Sequence, residues 1–246
     1  SLRAKFFWFK MRPVIEVKNL IKKYRNTQAL SGISFDVQEG EIFGLLGPNG
    51  AGKTTTIDIL AGLLNKDSGE VKILGKEPEE SKQNMNIVSS SSWLTGIMTV
   101  YENLKVYGML YGVCDWDKRI NELLDLFEIK NLKNIKYQRL STGQHTRVNL
   151  CKGLINSPKV LLLDECTVGL DPHLADKTRK IVKSLKKSTT MVFTSHNMQE
   201  VEQLCDRIAF LQQGKLIWTG TSEKLKSVHK KKTLEEVFIK LARGEP

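Results

Sequence analysis

Cysteine is scarce in this chain. Cys114, Cys151, Cys166 and Cys205 are the only four in 246 residues, and no two stand in a C-x-x-C pair. That argues against a disulfide framework or a cysteine-rich metal site and fits a reducing cytoplasm. No apolar run approaches the ~18 residues that a membrane-spanning helix needs, so the chain itself is expected to be soluble. Internal repeats, low-complexity segments and sustained heptads are also missing. Basic residues are not interleaved with aromatics in a way that would suggest base stacking.

The composition is 40% hydrophobic and 26% charged, enough for a proper core in one large or two small domains. The net charge of +11 is compatible with nucleic acid or an anionic membrane face as a partner. Its one dense run, Lys224, Lys226, Lys230, Lys231 and Lys232, reads as solvated surface. Phe6-Phe7-Trp8-Phe9 stands among Arg3, Lys5, Lys10 and Arg12. Such a cluster can lie at a membrane interface. The expectation adopted is plainer: residues 1–12 are a leader or appended segment, with Met11 the natural start.

Glu41-Ile42-Phe43-Gly44-Leu45-Leu46 reads as a short apolar strand and Thr55 to Leu63 as a helix. Between them lies Gly47-Pro48-Asn49-Gly50-Ala51-Gly52-Lys53-Thr54, which fits G-x-x-x-x-G-K-[ST]. Strand, glycine loop and helix start make an anion site, because glycines let backbone N–H groups turn onto phosphate oxygens and the helix dipole favours negative charge there. Lys53 would reach the β/γ-phosphates, and the Thr54 hydroxyl would face Mg²⁺. A nucleoside triphosphate is the implied ligand.

Other strands are expected at Val14 to Lys18, Gln28 to Val37 and around Val71 to Leu74. The unbroken runs Val160-Leu161-Leu162-Leu163 and Met191-Val192-Phe193-Thr194 read as strands buried on both faces of a parallel sheet. A later β pair falls at Asp206 to Leu211 and Lys215 to Trp218, and a last short helix at Lys232 to Leu241. From about Thr99 to Ile155 apolar spacings of three and four predict helices, including Tyr101 to Leu110, Ile120 to Phe127 and Arg147 to Leu154. The expected fold is an α/β P-loop core over residues 13–242, with a helical subdomain inserted at about 86–150 and a tail at 243–246.

Two further features carry chemistry. Asp164-Glu165 ends an apolar strand in two acids. In nucleotide-hydrolysing P-loop proteins the first holds Mg²⁺, and a second beside it can act on the attacking water. Leu140-Ser141-Thr142-Gly143-Gln144 opens a helix, either as a plain N-cap or as a second anion site. Two such helix starts cannot easily reach one nucleotide, which suggests that the second serves a nucleotide held by another copy.

With these motifs in order, the chain resembles the ATP-binding subunit of ABC transporters over residues 13–242. Gly47 to Thr54 is similar to Walker A, Leu140 to Gln144 to the signature (LSTGQ, where LSGGQ is commonest) and Leu161 to Glu165 to Walker B. Val168 to Asp171 is similar to the D-loop and Thr194-Ser195-His196 to the switch-histidine segment. The resemblance implies a mostly parallel sheet, an N-terminal antiparallel β subdomain and two copies closed head to tail around two ATP. Gly47, Asn49, Gly50, Gly52, Lys53, Thr54 and Thr55 would then hold phosphates and Mg²⁺, with Asp164 supporting the metal. Glu165 would act on water, His196 on the γ-phosphate and Tyr24 on the adenine. Ser141 and Gly143 would close the site of the other copy, and Asp171 would communicate between copies. The partners implied are a second copy or a homologous subunit and an integral membrane permease, not nucleic acid. The place implied is the inner face of the cell membrane.

Two positions depart from the family. The glutamine expected about nine residues before Thr99-Val100-Tyr101-Glu102-Asn103 is replaced by Ser90, and Gln83 comes too early. Ser90 could reach Mg²⁺ through water, so it stays a candidate metal contact. Cys166 stands where proline usually follows the glutamate, which is expected to leave that turn freer. Ser90, the threonine in the signature and Thr233 to Phe238 look most like the subfamily that exports drugs, sodium or polysaccharide. A catalytically weak partner in a heterodimer is the alternative reading.

Overall fold

Apolar residues that alternate with polar ones build the first sheet. In the computed structural model, which describes residues 13–89, 94–167 and 169–242, strands β1 (Pro13–Tyr24) and β2 (Thr27–Gln38) form an antiparallel hairpin. Strand β4 (Ser68–Ile73) pairs antiparallel with the other edge of β1, giving the order β2-β1-β4. Ile15, Val17, Leu30, Ile33, Val37, Val71 and Ile73 are buried from this sheet.

The unbroken apolar segments form the second sheet. Strands β3 (Ile42–Leu46), β5 (Met85–Ser89), β6 (Val160–Asp164), β7 (Thr190–Thr194), β8 (Arg207–Gln212) and β9 (Lys215–Gly220) lie in the order β5-β6-β7-β3-β8-β9. All pair parallel except β9, which returns antiparallel along β8. Every residue of β3, β6 and β7 is buried. The two-residue period of a strand sends successive side chains to opposite faces. Phe43, Leu45, Leu162 and Val192 therefore join a core shared with the small sheet, whereas Ile42, Leu46, Leu161, Leu163 and Phe193 join a core shared with helices.

Among the described residues there are eight α-helices, besides short 3-10 turns: α1 (Lys53–Leu60), α2 (Val100–Leu110), α3 (Trp116–Leu126), α4 (Thr142–Leu154), α5 (Pro172–Leu185), α6 (Met198–Leu204), α7 (Ser222–Val228) and α8 (Leu234–Ala242). Among the described residues none is long and apolar enough to cross a membrane. Helix α2 starts on a capping box in which Thr99 and Glu102 bond each other's backbone N–H.

One boundary and one element differ from expectation. The helical insertion expected from about residue 86 overlaps β5, an edge strand of the large sheet that runs to Ser89. Asn86 obscures that strand in the sequence. Its buried amide is satisfied by the Lys152 carbonyl (3.2 Å) and Asn156 Oδ1 (3.0 Å). Helix α4 begins at Thr142 behind the N-cap Ser141, as the helix start read at Leu140 to Gln144 expects, whereas α7, which bears the first lysines of the basic run, had not been foreseen. Lys224, Lys230, Lys231 and Lys232 are exposed, while Lys226 reaches Glu202 at 2.9 Å.

Helix α4 lies on β5 through Gly153, where an added Cβ would stand 2.2 Å from Val88 Cγ2. Gly153→Ala should gain the ~1 kcal/mol of helix propensity but lose about 1–3 kcal/mol to overpacking, for a net loss. Urea midpoints should show that loss, and the Val88→Ala background should remove most of it; additive effects would refute the contact. One residue back, Lys152 is buried on α4 and donates to the Ile87 carbonyl (2.5 Å). Burial pushes its pKa from 10.5 down to about 8. The folded value lies below the unfolded one, so this group's contribution is full above 10.5 and is lost as pH falls through 8. The stability of the protein relative to Lys152→Met should therefore rise between those pH values, by roughly 3 kcal/mol at 1.36 kcal/mol per pKa unit. Parallel curves would remove the argument.

Candidate functional site

The loop between β3 and α1 needs glycine for conformational and for steric reasons. Gly47, Gly50 and Gly52 take φ values of 148°, 76° and 108°. A Cβ on Gly47 would fall 2.1 Å from the Leu211 carbonyl, and one on Gly52 would fall 2.8 Å from that of Ala29. Gly50 has open space around it, so its demand is conformational alone. No side chain caps α1, which leaves the N–H groups of its first turn pointing from the loop. Lys53 is buried, and its ammonium donates to the Gly47 carbonyl (2.7 Å) and the Pro48 carbonyl (3.1 Å), with one N–H still to place. Asn49 and Thr54 are exposed and Thr55 is half-buried.

The ends of β6 and β7 face this loop. Asp164 is buried, which raises its pKa, while a 2.5 Å hydrogen bond from the Thr194 hydroxyl opposes the shift. Glu165 has a left-handed backbone (φ 53°), a strained conformation for a residue with a side chain. Its N–H is shared by the Thr194 carbonyl and hydroxyl, each at 3.2 Å. His196 Nε2 stands 2.6 Å from Glu165 Oε1, and both side chains are partly open to solvent. Lys53 feels both acids: burial lowers its pKa, and Glu165 and Asp164 pull it back up. Lys53, Asp164, Glu165 and His196 thus form one charged cleft at the carboxyl ends of β3, β6 and β7. A base, an imidazole and a cation on one face can orient water beside a phosphate.

Among the described residues no three His, Cys, Asp or Glu side chains gather to cage a metal. With Glu165 engaged by His196, what the cleft offers a metal is the Asp164 carboxylate and the exposed Thr54 hydroxyl. That sparse oxygen set suits Mg²⁺ completed by water and phosphate oxygens. Ser90, the third candidate, lies outside the described residues.

Ser141, Gly143 and Asp171 form a separate cluster. Ser141 caps α4: its hydroxyl accepts from the Gln144 N–H (3.4 Å), and its own N–H donates to Gln144 Oε1 (2.9 Å). The plain-cap reading is therefore correct as far as the cap goes. Gly143 passes Gly169, where an added Cβ would meet the Gly169 carbonyl at 3.1 Å. Asp171 caps α5 through the His173 and Leu174 N–H groups, both at 3.0 Å. Ser141, Gly143, Arg147, Gly169, Asp171 and Leu174 line one groove, and no residue of the glycine loop lines it. Tyr24 is exposed at the β1–β2 turn with the Lys22 ammonium 5.7 Å from its ring centre. Ala29, further along the same hairpin, is the residue against which Gly52 rests.

Reading the motifs missed the work of Thr194, although a polar residue ending a fully buried strand was a usable signal. The turn after Glu165 is also less free than a cysteine in place of proline suggests. Cys166 is buried among core residues, and the Thr167 hydroxyl donates to Glu200 (2.8 Å).

The ABC transporter family profile matches residues 30–168. The linearmycin resistance ATP-binding protein LnrL of Bacillus subtilis is 38% identical over 219 residues, covering 86% of this chain and 70% of that protein. The Nod factor export ATP-binding protein I of Burkholderia lata is 36% identical over 218 residues, covering 86% and 72%. A solved structure of an ATP-binding subunit of an ABC transporter superposes with a TM-score of 0.86 at 26% identity, covering 93% of this chain and 99% of that one. The chain belongs to the ABC transporter family. It is an ATP-binding subunit of that family, an ATPase coupled to transport.

Thr194→Val should lower the ATPase kcat by about tenfold, a loss of ~1.4 kcal/mol, because it removes one bond to Asp164 and one from the Glu165 N–H. Thr194→Ser should recover most of the rate in the same steady-state assay. Equal losses in both variants would refute this role for the hydroxyl.

Proposed function

We propose that this chain pairs head to tail with a second copy, or with a homologous ATP-binding subunit, around two ATP and powers a separate integral membrane permease. The observation that carries the reading is the split between the two clusters. Lys53, Asp164, Glu165 and His196 converge in one cleft, whereas Ser141 and Gly143 line a groove without any glycine-loop residue. An ATP held by the first needs the second from elsewhere.

Gly47, Asn49, Gly50, Gly52, Lys53 and Thr55 bind the phosphates through backbone N–H groups and the lysine ammonium. Thr54, Asp164 and Ser90 would hold Mg²⁺, which when bound would neutralise phosphate charge. Glu165 accepts the proton of the attacking water, and His196 exchanges its contact with Glu165 for the γ-phosphate. Tyr24 stacks on the adenine. Ser141 and Gly143 reach the γ-phosphate of the partner's ATP, and Asp171 couples the two sites. The names of the two relatives, one for resistance and one for export, support an exporter at the inner face of the cell membrane.

Glu165→Gln keeps the shape of the side chain and removes the base. Hydrolysis should fall by about 100-fold or more while ATP still binds. Light scattering of this variant should give the mass of a dimer with ATP and of a monomer without it. A monomer that binds ATP and never pairs would overturn self-pairing and favour an unlike partner.

A further inference from the structure

Glu200 is a carboxylate that its own helix does not use. It occupies the third position of α6, behind the N-cap Asn197, where a glutamate ordinarily turns back to the N-cap N–H to complete a capping box. Here the Asn197 N–H donates to Ser195 Oγ instead (3.0 Å), and the Asn197 side chain caps the Gln199 and Glu200 N–H groups. The Glu200 carboxylate faces away from its own helix start. It is 3% exposed, and among the described residues no cation pairs with it. One oxygen, Oε2, accepts the Ser195 hydroxyl and the Thr167 hydroxyl, each at 2.8 Å.

Those two hydroxyls come from the two turns that carry the reacting side chains. Ser195 directly precedes His196, and Thr167 follows Glu165 by two residues. A buried carboxylate with only neutral donors is costly to desolvate. In return, its charge strengthens two hydrogen bonds at once, and charged acceptors bind about twice as strongly as neutral ones. We propose that Glu200 is a positioning residue for ATP hydrolysis, its buried carboxylate tying the turn after Glu165 to the turn before His196. The clamp also accounts for Cys166. With no proline ring to fix the turn after the left-handed Glu165, the tie through Thr167 fixes it from the next residue. The proposal rests on the reading that Glu165 and His196 act on ATP, and it adds a residue that touches neither nucleotide nor water.

The test is steady-state ATPase kinetics with nucleotide-binding stoichiometry on the full chain. Glu200→Ala should lower kcat by about 10- to 100-fold, the loss of two charge-assisted hydrogen bonds, with KM for ATP and the number of binding sites little changed. Glu200→Gln should recover a large part of kcat, because an amide oxygen accepts both hydroxyls. Thr167→Val combined with Ser195→Ala should match Glu200→Ala, and adding Glu200→Ala to that pair should cost little more. A wild-type kcat in Glu200→Ala overturns the proposal. So do additive losses, and so does a Gln variant no better than Ala that has also lost nucleotide sites. If Glu165→Gln abolishes turnover while Glu200→Ala leaves it intact, this inference alone fails. If Glu165→Gln turns over normally, the reading beneath it fails.

Discussion

A lysine ammonium buried at the end of a central strand must be kept charged, and much of the cleft serves that requirement. Lys53 is only 7% exposed, and burial lowers its pKa. Two loop carbonyls accept hydrogen bonds from it, and the fields of Glu165 and Asp164 favour the charged form. Asp164 benefits in return: burial and the neighbouring Glu165 carboxylate disfavour its charged form, and the Lys53 cation favours it. The parallel sheet is what brings the three together, since β3, β6 and β7 are neighbours and their carboxyl ends open on the same side.

The same sheet explains why the cleft is rigid on one side and open on the other. Phe43, Leu45, Leu162 and Val192 pack toward the small sheet, and their neighbours in sequence pack toward the helices, so no central strand can slide without disturbing two cores. Beyond the strand ends, control passes to polar ties. Thr194 holds Asp164 and the Glu165 N–H, and Glu200 holds Thr167 and Ser195. Glu165 and His196 thus each follow a buried strand and have a hydroxyl-bearing residue within two positions.

What could be read in the sequence follows from the range of the forces involved. The glycine loop, the buried strands and the acids after β6 were legible because each is a local demand: positive φ at Gly47, Gly50 and Gly52, and burial on both faces for Val160 to Leu163. Strand β5 was not, because the side-chain amide N–H groups of the polar Asn86 find their acceptors on α4 and the segment after it, some seventy residues away. The start of α4 was legible at Ser141, again through a local signal. Thr142 and Gly143 are weak helix formers, and the capping box of Ser141 and Gln144 supplies the nucleation that their propensity lacks. Glu200 was silent for the plainest reason: a glutamate early in a helix already has a common local use, and only the fold shows that it is spent elsewhere.

The start of α4 shows how a cap and an anion site can coexist. The capping box occupies the Gln144 and Ser141 N–H groups, and the His145 N–H bonds the Ser141 carbonyl. The N–H groups of Thr142 and Gly143 are those an α-helix cannot satisfy internally. Ser141 and Thr142 are exposed, and Gly143 is held close to Gly169 by the lack of a side chain. A helix start that is half capped and open to solvent suits an anion arriving from outside. The Lys53 cleft of the same chain has nothing lining this groove to bring one. The proposed pairing resolves both incomplete sites with one contact, because a head-to-tail partner offers its triphosphate to α4 while receiving a helix start over its own.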